Sequence, residues 1–338
     1  MSYSPTDEPL PRWRRVWSFL QRHGRAIIRA IWLVSFVAVL IVVGYQFYKS
    51  WPQIRAYPWH LHVEYLVLGF GAYSVSLLLT ASIWALIMWR MSGIDRLLTH
   101  IRAFCVTNPI QRLPTPLPFV GARTEAYAPL GVTRPTTLAA MALETTVTMF
   151  GALAVATLTV SAGPYSAITT QFHPLLVLIV VIPMALMVVR PSWFFALLNY
   201  ALVRLKRAPL TFHVRTIDML LWGSFFVVVW LNGGVFYYCV ISTIYAISPA
   251  QLLFLMNIFA VSGIIGWIGQ LLFFMPSTAF RQLAIAYWLS FMMPWPVALA
   301  VVLLTRSCII AFELIWAFAF GFLISARARH ESLLTERS

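Results

Sequence analysis

Residues 297–325, VALAVVLLTRSCIIAFELIWAFAFGFLIS, run for 29 positions with only Arg306 and Glu313 charged. Wound as an α-helix at 1.5 Å per residue the stretch reaches ~44 Å, more than the ~30 Å hydrocarbon thickness of a bilayer. A bilayer offers no water to backbone N–H and C=O groups, so a segment of this length satisfies them internally as a helix. The same pattern recurs at 27–48, 65–89, 136–160, 172–189, 217–246, 250–274 and, more briefly, 279–293. The expected fold is therefore all-α: a polytopic transmembrane helical bundle of about eight membrane segments. Its divisions are a basic N-terminal arm over 1–26, a membrane domain over 27–325 and a short tail over 326–338.

Composition points the same way. Of 338 residues 61% are hydrophobic and 10% charged, against roughly 45–50% and 25% in soluble domains. The net charge of +14 would suit nucleic acid in a soluble protein. Here the arginines cluster between apolar runs, so no nucleic-acid partner is expected and the charge reads as topology plus attraction to anionic lipid. Arg12, Arg14, Arg15, Arg22 and Arg25 precede the first run and Arg29 stands at its start; further clusters occupy 90–134 and 190–215. The positive-inside rule places these in the cytoplasm, giving a cytoplasmic N-terminus in a bacterial or archaeal inner membrane. No cleavable leader is expected, because the first run is long enough to span. Cys105, Cys239 and Cys308 have no paired spacing and read as packing residues.

Two places break the helical pattern. Between 96 and 123, Pro109, Pro114, Pro116 and Pro118 forbid one continuous helix. The readings are a cytoplasmic loop, or an interfacial helix followed by a broken or re-entrant segment, tolerated at membrane depth only when buried or facing a wet cavity. The second break, Phe274-Met275-Pro276-Ser277-Thr278, precedes the short run 279–293, which either spans or dips and returns. Arg123 stands five residues after Pro118 and Arg281 five after Pro276, and each break precedes a helix with a carboxylate, Glu144 or Glu313. This suggests an internal pseudo-repeat, the pattern that marks binding sites in transporters.

Charge within apolar runs costs at least ~2.5–3.5 kcal/mol on insertion scales, so Glu144, Arg306 and Glu313 call for partners. We expect Glu144 or Glu313 to pair with Arg306, Arg281 or Arg123 around a polar cavity; an ion pair that only fixes helix register is the alternative. Asn108 and Asn232 are candidate cavity residues. Asn232-Gly233-Gly234 reads as a kink or a close helix contact, and Gly263, Gly266 and Gly269 as a packing stripe. No HExxH, GxSxG, P-loop or paired-cysteine metal spacing occurs. No catalysis, cofactor or metal is expected, and transport would be passive or coupled to an ion gradient or a partner. An enzyme would have to draw on Glu64, Asp95 or Glu125, which lack companions.

The stretch Thr107-Asn108-Pro109-Ile110-Gln111-Arg112-Leu113-Pro114 through Gly121-Ala122-Arg123, then Leu130-Gly131-Val132 and Glu144, resembles the first signature of the flippase-like transmembrane domain of the lysylphosphatidylglycerol synthase family. Gly266, Gly269, Pro276, Arg281 and Arg306 resemble parts of the second, while Ser277, Thr278, Ala279 and Gln282 depart from it. The resemblance implies a stand-alone relative without the aminoacyl-transferase domain. It also implies a lipid flippase-like transporter that binds an anionic phospholipid or polyprenyl-phosphate-linked glycolipid head group through Arg123, Arg281 and Arg306. A non-transporting scaffold or regulator of a lipid-synthesis enzyme or glycosyltransferase is the rival, with that enzyme as partner.

Overall fold

The computed structural model describes residues 48–113, 117–159, 190–204, 214–271 and 277–335, with positions 37, 41, 44, 45, 182 and 186 besides. Among the described residues the elements are helical throughout. In chain order they are α1 Val63–Ser92, α2 Leu97–Thr107, α3 Leu117–Tyr127, α4 Arg134–Thr159, α5 Pro191–Arg204, α6 Thr216–Ser242, α7 Leu252–Leu271, α8 Ser277–Leu289 and α9 Trp295–Thr335. Single 3₁₀ turns stand at Asn108–Arg112, Ala128–Leu130 and Pro249–Gln251.

Five helical stretches are long and apolar enough to cross a membrane: α1, α4, α6, Pro249–Gly269 and Trp295–Phe322. The protein is a multi-pass membrane protein with an all-α bundle. Most of the expected segments 27–48 and 172–189, together with Pro276, lie outside the described residues. The run 279–293 forms α8, a helix of 13 residues. At ~1.5 Å per residue it reaches ~20 Å, short of a full crossing.

Helix ends follow local chemistry. α1 stops at Gly93, whose φ of 71° suits a residue without Cβ, and the Gly93 N–H donates to the Trp89 carbonyl. α6 starts at Arg215, whose N–H donates to Asp218 at 3.0 Å; Asp218 also meets Arg90 at 3.3 Å and ties the start of α6 to the end of α1.

Cross-links between helix ends fix the directions. His62 N–H donates to Thr243 O at 2.9 Å, and the Tyr57 and Tyr245 rings stack at 6.5 Å. Tyr245 O–H in turn reaches Met292 O at 3.5 Å. The start of α1, the end of α6 and the turn before α9 thus share one end of the bundle. Asn257 of α7 donates to Ala156 O and Thr159 Oγ1 of α4 at 3.0 and 2.9 Å, bringing the end of α4 to the start of α7. α1, α7 and α9 run one way; α4 and α6 run the other.

The segment 97–127 is no plain loop. Pro109 ends α2, and after the 3₁₀ turn α3 folds back. His100, Phe104, Thr107, Asn108, Arg123 and Tyr127 are all buried. Its turn reaches Tyr73, well inside α1, through Glu313, while His100 and Tyr127 sit further along α1, at Trp84. The result is a helical hairpin inserted beside α1.

α6 continues through Asn232-Gly233-Gly234 without a break. A Cβ on Gly234 would stand 2.6 Å from Met256 Cα, and one on Gly233 would enter the Phe259 ring. Of the two readings of this Gly-Gly step the structure supports the close contact, between α6 and α7. Gly263 likewise faces the Trp230 ring, and Gly266 makes room for Arg281.

Gly234→Val is expected to lower stability by ~1–3 kcal/mol or more through overpacking. Gly121→Ala, where an added Cβ meets nothing within 4 Å, is expected to be neutral or to stabilise α3 by ~0.5–1 kcal/mol. Thermal unfolding of both variants in detergent checks this.

Candidate functional site

Two polar clusters sit inside the bundle. The first is built on Glu313 of α9, whose side chain is fully buried. Its Oε2 accepts from Arg112 Nε at 2.8 Å, and Arg112 Nη2 donates to Oε1. Oε1 also accepts from Tyr73 O–H at 2.6 Å and from Asn108 Nδ2 at 2.8 Å. Gln111 Nε2 donates to Asn108 Oδ1 at 3.2 Å and holds that amide in place. A bidentate guanidinium with two further donors is the arrangement that makes a buried carboxylate tolerable.

Two more guanidiniums reach this cluster. Arg306, two turns before Glu313 on α9, donates to the Arg112 carbonyl at 3.1 Å. Arg281 of α8 donates to Ser262 Oγ at 3.4 Å and lies over the Phe259 ring at 5.3 Å. Arg281 and Arg306 are within electrostatic reach of each other, of Arg112 and of Tyr237. Gln282 Oε1, beside Arg281, is buried without a partner among the described residues.

The charges do not balance. Among the described residues Glu64 meets His62, Glu125 meets Arg134, Glu144 meets Arg123, Asp218 meets Arg90 and Glu313 meets Arg112. Of the carboxylates whose side chains are described, the remaining one, Asp95, is exposed. Among the described side chains no carboxylate therefore lies within ion-pair distance of Arg281 or Arg306; Glu313 acts on Arg306 from farther away, and both stand against a third guanidinium that holds Glu313 directly.

The second cluster is closed. Arg123 of α3 is 1% exposed and donates to Glu144 Oε2 at 2.8 Å. Its guanidinium is 4.2 Å from the Trp84 ring centroid and 4.6 Å from those of Phe104 and Phe119. Trp84 Nε1 donates to Tyr127 O–H at 2.8 Å, and His100 bonds that same hydroxyl at 3.1 Å and the Ile94 carbonyl at 2.9 Å. Glu144 thus supplies the counter-charge of Arg123 and aromatic faces enclose it, while Arg123 Nη2 is buried without a hydrogen-bond partner among the described residues.

Sequence reasoning placed Arg123, Arg281 and Arg306 at one head-group site. The structure brings Arg281 and Arg306 together and sets Arg123 apart with Glu144. Of the pairings expected, Arg123–Glu144 is present, whereas Glu313 takes Arg112 in place of Arg281 or Arg306. Asn108 belongs to the Glu313 cluster. Asn232 instead joins α6 to α1, donating to Ala72 O at 2.6 Å and Ser76 Oγ at 2.8 Å. Arg112 and Tyr73 were not among the expected site residues. Arg112 lies inside the proline-broken segment, which was the available signal; Tyr73 looks like any aromatic of an apolar run.

No protein-family model matches the chain, and no curated protein matches it.

Glu313→Gln leaves Arg112 buried without its counter-charge and is expected to cost ~3–5 kcal/mol. Glu125→Gln, at an exposed pair, is expected to cost ~0–1 kcal/mol. The double variant Arg112→Gln/Glu313→Gln is expected to recover part of the loss, as chemical denaturation in detergent will show.

Proposed function

We propose that the protein is a lipid flippase-like transporter that binds an anionic phospholipid or polyprenyl-phosphate-linked head group at Arg281 and Arg306. The observation that carries this reading is the pair of guanidiniums in the bundle without a carboxylate at ion-pair distance among the described side chains. A planar fork of donors suits phosphate oxygens, and two half-buried guanidiniums this near each other favour a bound counter-charge. An apolar groove of about 250 Å³, lined by Leu66, Val67, Phe70, Phe312 and Ile315, lies beside the Tyr73–Glu313 cluster. It suits the hydrocarbon chain of the same lipid. Arg112, Tyr73 and Glu313 would position the site, and Arg123 with Glu144 would brace the hairpin.

The same reading sets the protein in a bacterial or archaeal cytoplasmic membrane, with the N-terminus inside. It has about eight membrane segments: the five spanning helices, α8, and the runs 27–48 and 172–189. The hairpin of α2 and α3 would be re-entrant. The rival, a membrane scaffold or regulator of a lipid-synthesis enzyme or glycosyltransferase, draws on the two closed ion pairs, which suffice to fix helix register. The family resemblance of the broken segments favours transport.

In proteoliposomes the protein is expected to exchange at least one of fluorescent phosphatidylglycerol, aminoacylated phosphatidylglycerol and a polyprenyl-phosphate sugar between leaflets, above empty vesicles. Arg306→Leu is expected to fold and to lose that exchange. Absence of exchange for all three, or retained exchange in Arg306→Leu, contradicts transport. A stable, partner-binding Arg306→Leu protein from an inactive parent supports the scaffold.

A further inference from the structure

The two halves of the bundle repeat one plan in opposite directions. α1 runs away from the end of the bundle that holds His62, Thr243 and Met292, and the hairpin of α2 and α3 and then α4 follow it. α6 runs toward that end, and the pair of α7 and α8 and then α9 follow it. Helices of the same rank are thus antiparallel, the mark of an inverted-topology repeat.

The correspondence extends to side chains. In the first half Thr107 Oγ1 donates to Ala103 O at 2.7 Å, with Phe104 O at 3.3 Å, and faces Arg123 Nε at 3.5 Å, with the guanidinium over the Phe104 ring. In the second half Ser262 Oγ donates to Phe259 O at 2.7 Å and faces Arg281 Nε at 3.4 Å, with the guanidinium over the Phe259 ring. Each arginine is on the short helix that folds back, and each has an aromatic of the preceding long helix nearby, Trp84 at 4.2 Å in one case and Tyr237 in the other. A Phe-x-x-(Thr or Ser) step and a returning arginine therefore build the same cage twice.

One part differs. Glu144 lies ten residues after Arg134, the first residue of α4, and closes the first cage at 2.8 Å. The tenth residue after Trp295, the first of α9, is the buried Thr305, and Arg306 follows it. Where the first half has an anion, the second has a neutral residue followed by a cation.

We propose that the second cage takes its missing negative charge from outside the chain. It would bind a single phosphate or phosphodiester group between Arg281 and Arg306, at the place that Glu144 fills in the first. Two forked donors within electrostatic reach of each other suit the tetrahedral oxygens of phosphate and its single or double charge. Membrane lipid and free phosphate share this chemistry. The inference deepens the lipid-binding reading above but does not depend on movement between leaflets.

The test uses the full chain in uncharged detergent, its melting temperature followed with inorganic phosphate, with phosphatidylglycerol, or with diacylglycerol as the uncharged control. Phosphatidylglycerol is expected to raise the melting temperature and to saturate at one per chain, while diacylglycerol does not. A matching rise with inorganic phosphate assigns the group alone, and its absence assigns the intact lipid. Arg281→Gln is expected to abolish the rise without lowering the unliganded melting temperature, since it strands no carboxylate. Arg123→Gln strands Glu144 and is expected to lower that temperature yet keep the rise.

Thr305→Glu, which restores the carboxylate, is expected to weaken binding about thirtyfold or more, while Thr305→Gln keeps it. If Thr305→Glu does not fold, the contrast between Arg281→Gln and Arg123→Gln decides. The proposal is overturned if those two variants behave alike, or if Thr305→Glu binds as tightly as the parent. It is overturned together with the lipid reading if neither phosphate probe binds. One-to-one binding without leaflet exchange sinks transport alone.

Discussion

A carboxylate fully enclosed by protein has to collect its hydrogen bonds from whatever elements surround it, and Glu313 collects them from two. Arg112 and Asn108 come from the turn of the inserted hairpin and Tyr73 from α1, while Glu313 itself stands on α9. The cost of leaving any of these groups unpaired in an apolar interior is several kcal/mol. The hairpin, α1 and α9 are therefore held in one register by a single group. Arg306, on the same helix, then falls against the Arg112 carbonyl. The position of the unpaired cations follows from that anchoring.

Close helix packing supplies the rest. α6 meets α7 through Gly233 and Gly234, and α4 through Gly223 and Gly151, whose added Cβ atoms would collide with Phe150 and Phe226. In lipid no hydrophobic gain drives one apolar helix onto another, so small residues that let backbones approach carry much of the association. Gly266 has a further effect, since the Arg281 side chain lies across it. A larger residue there would crowd Arg281 against the cluster that Glu313 organises. Packing and charge placement are in this way the same constraint seen from two helices.

Much of the fold was legible from hydropathy because the membrane imposes a simple rule on length and polarity. The five spanning helices coincide with apolar runs, and the prolines around 109–118 announced the break that became the hairpin. The single-turn scale was not legible. The residues 279–293 are apolar enough for a crossing but form a 13-residue helix folded back on α7. Nothing in the local sequence reveals that α7 and α8 pair. The arginines of the site were visible as charges near apolar runs, but which carboxylate each would meet depends on the directions of helices far apart in sequence. Arg123 therefore separated from Arg281 and Arg306, and Arg112, which looked like one more cytoplasmic cation, became the partner of Glu313.

Arg281 and Arg306, on this proposal, hold a counter-charge that no described side chain provides at ion-pair distance. An experimental structure of the protein in nanodiscs containing phosphatidylglycerol tests this directly. The expected result is density for one phosphate group between the two side chains, its oxygens ~2.7–2.9 Å from guanidinium nitrogens. Both guanidiniums turned outward to the lipid surface, or each bonded to a carboxylate of the chain itself with no ligand between them, would contradict it.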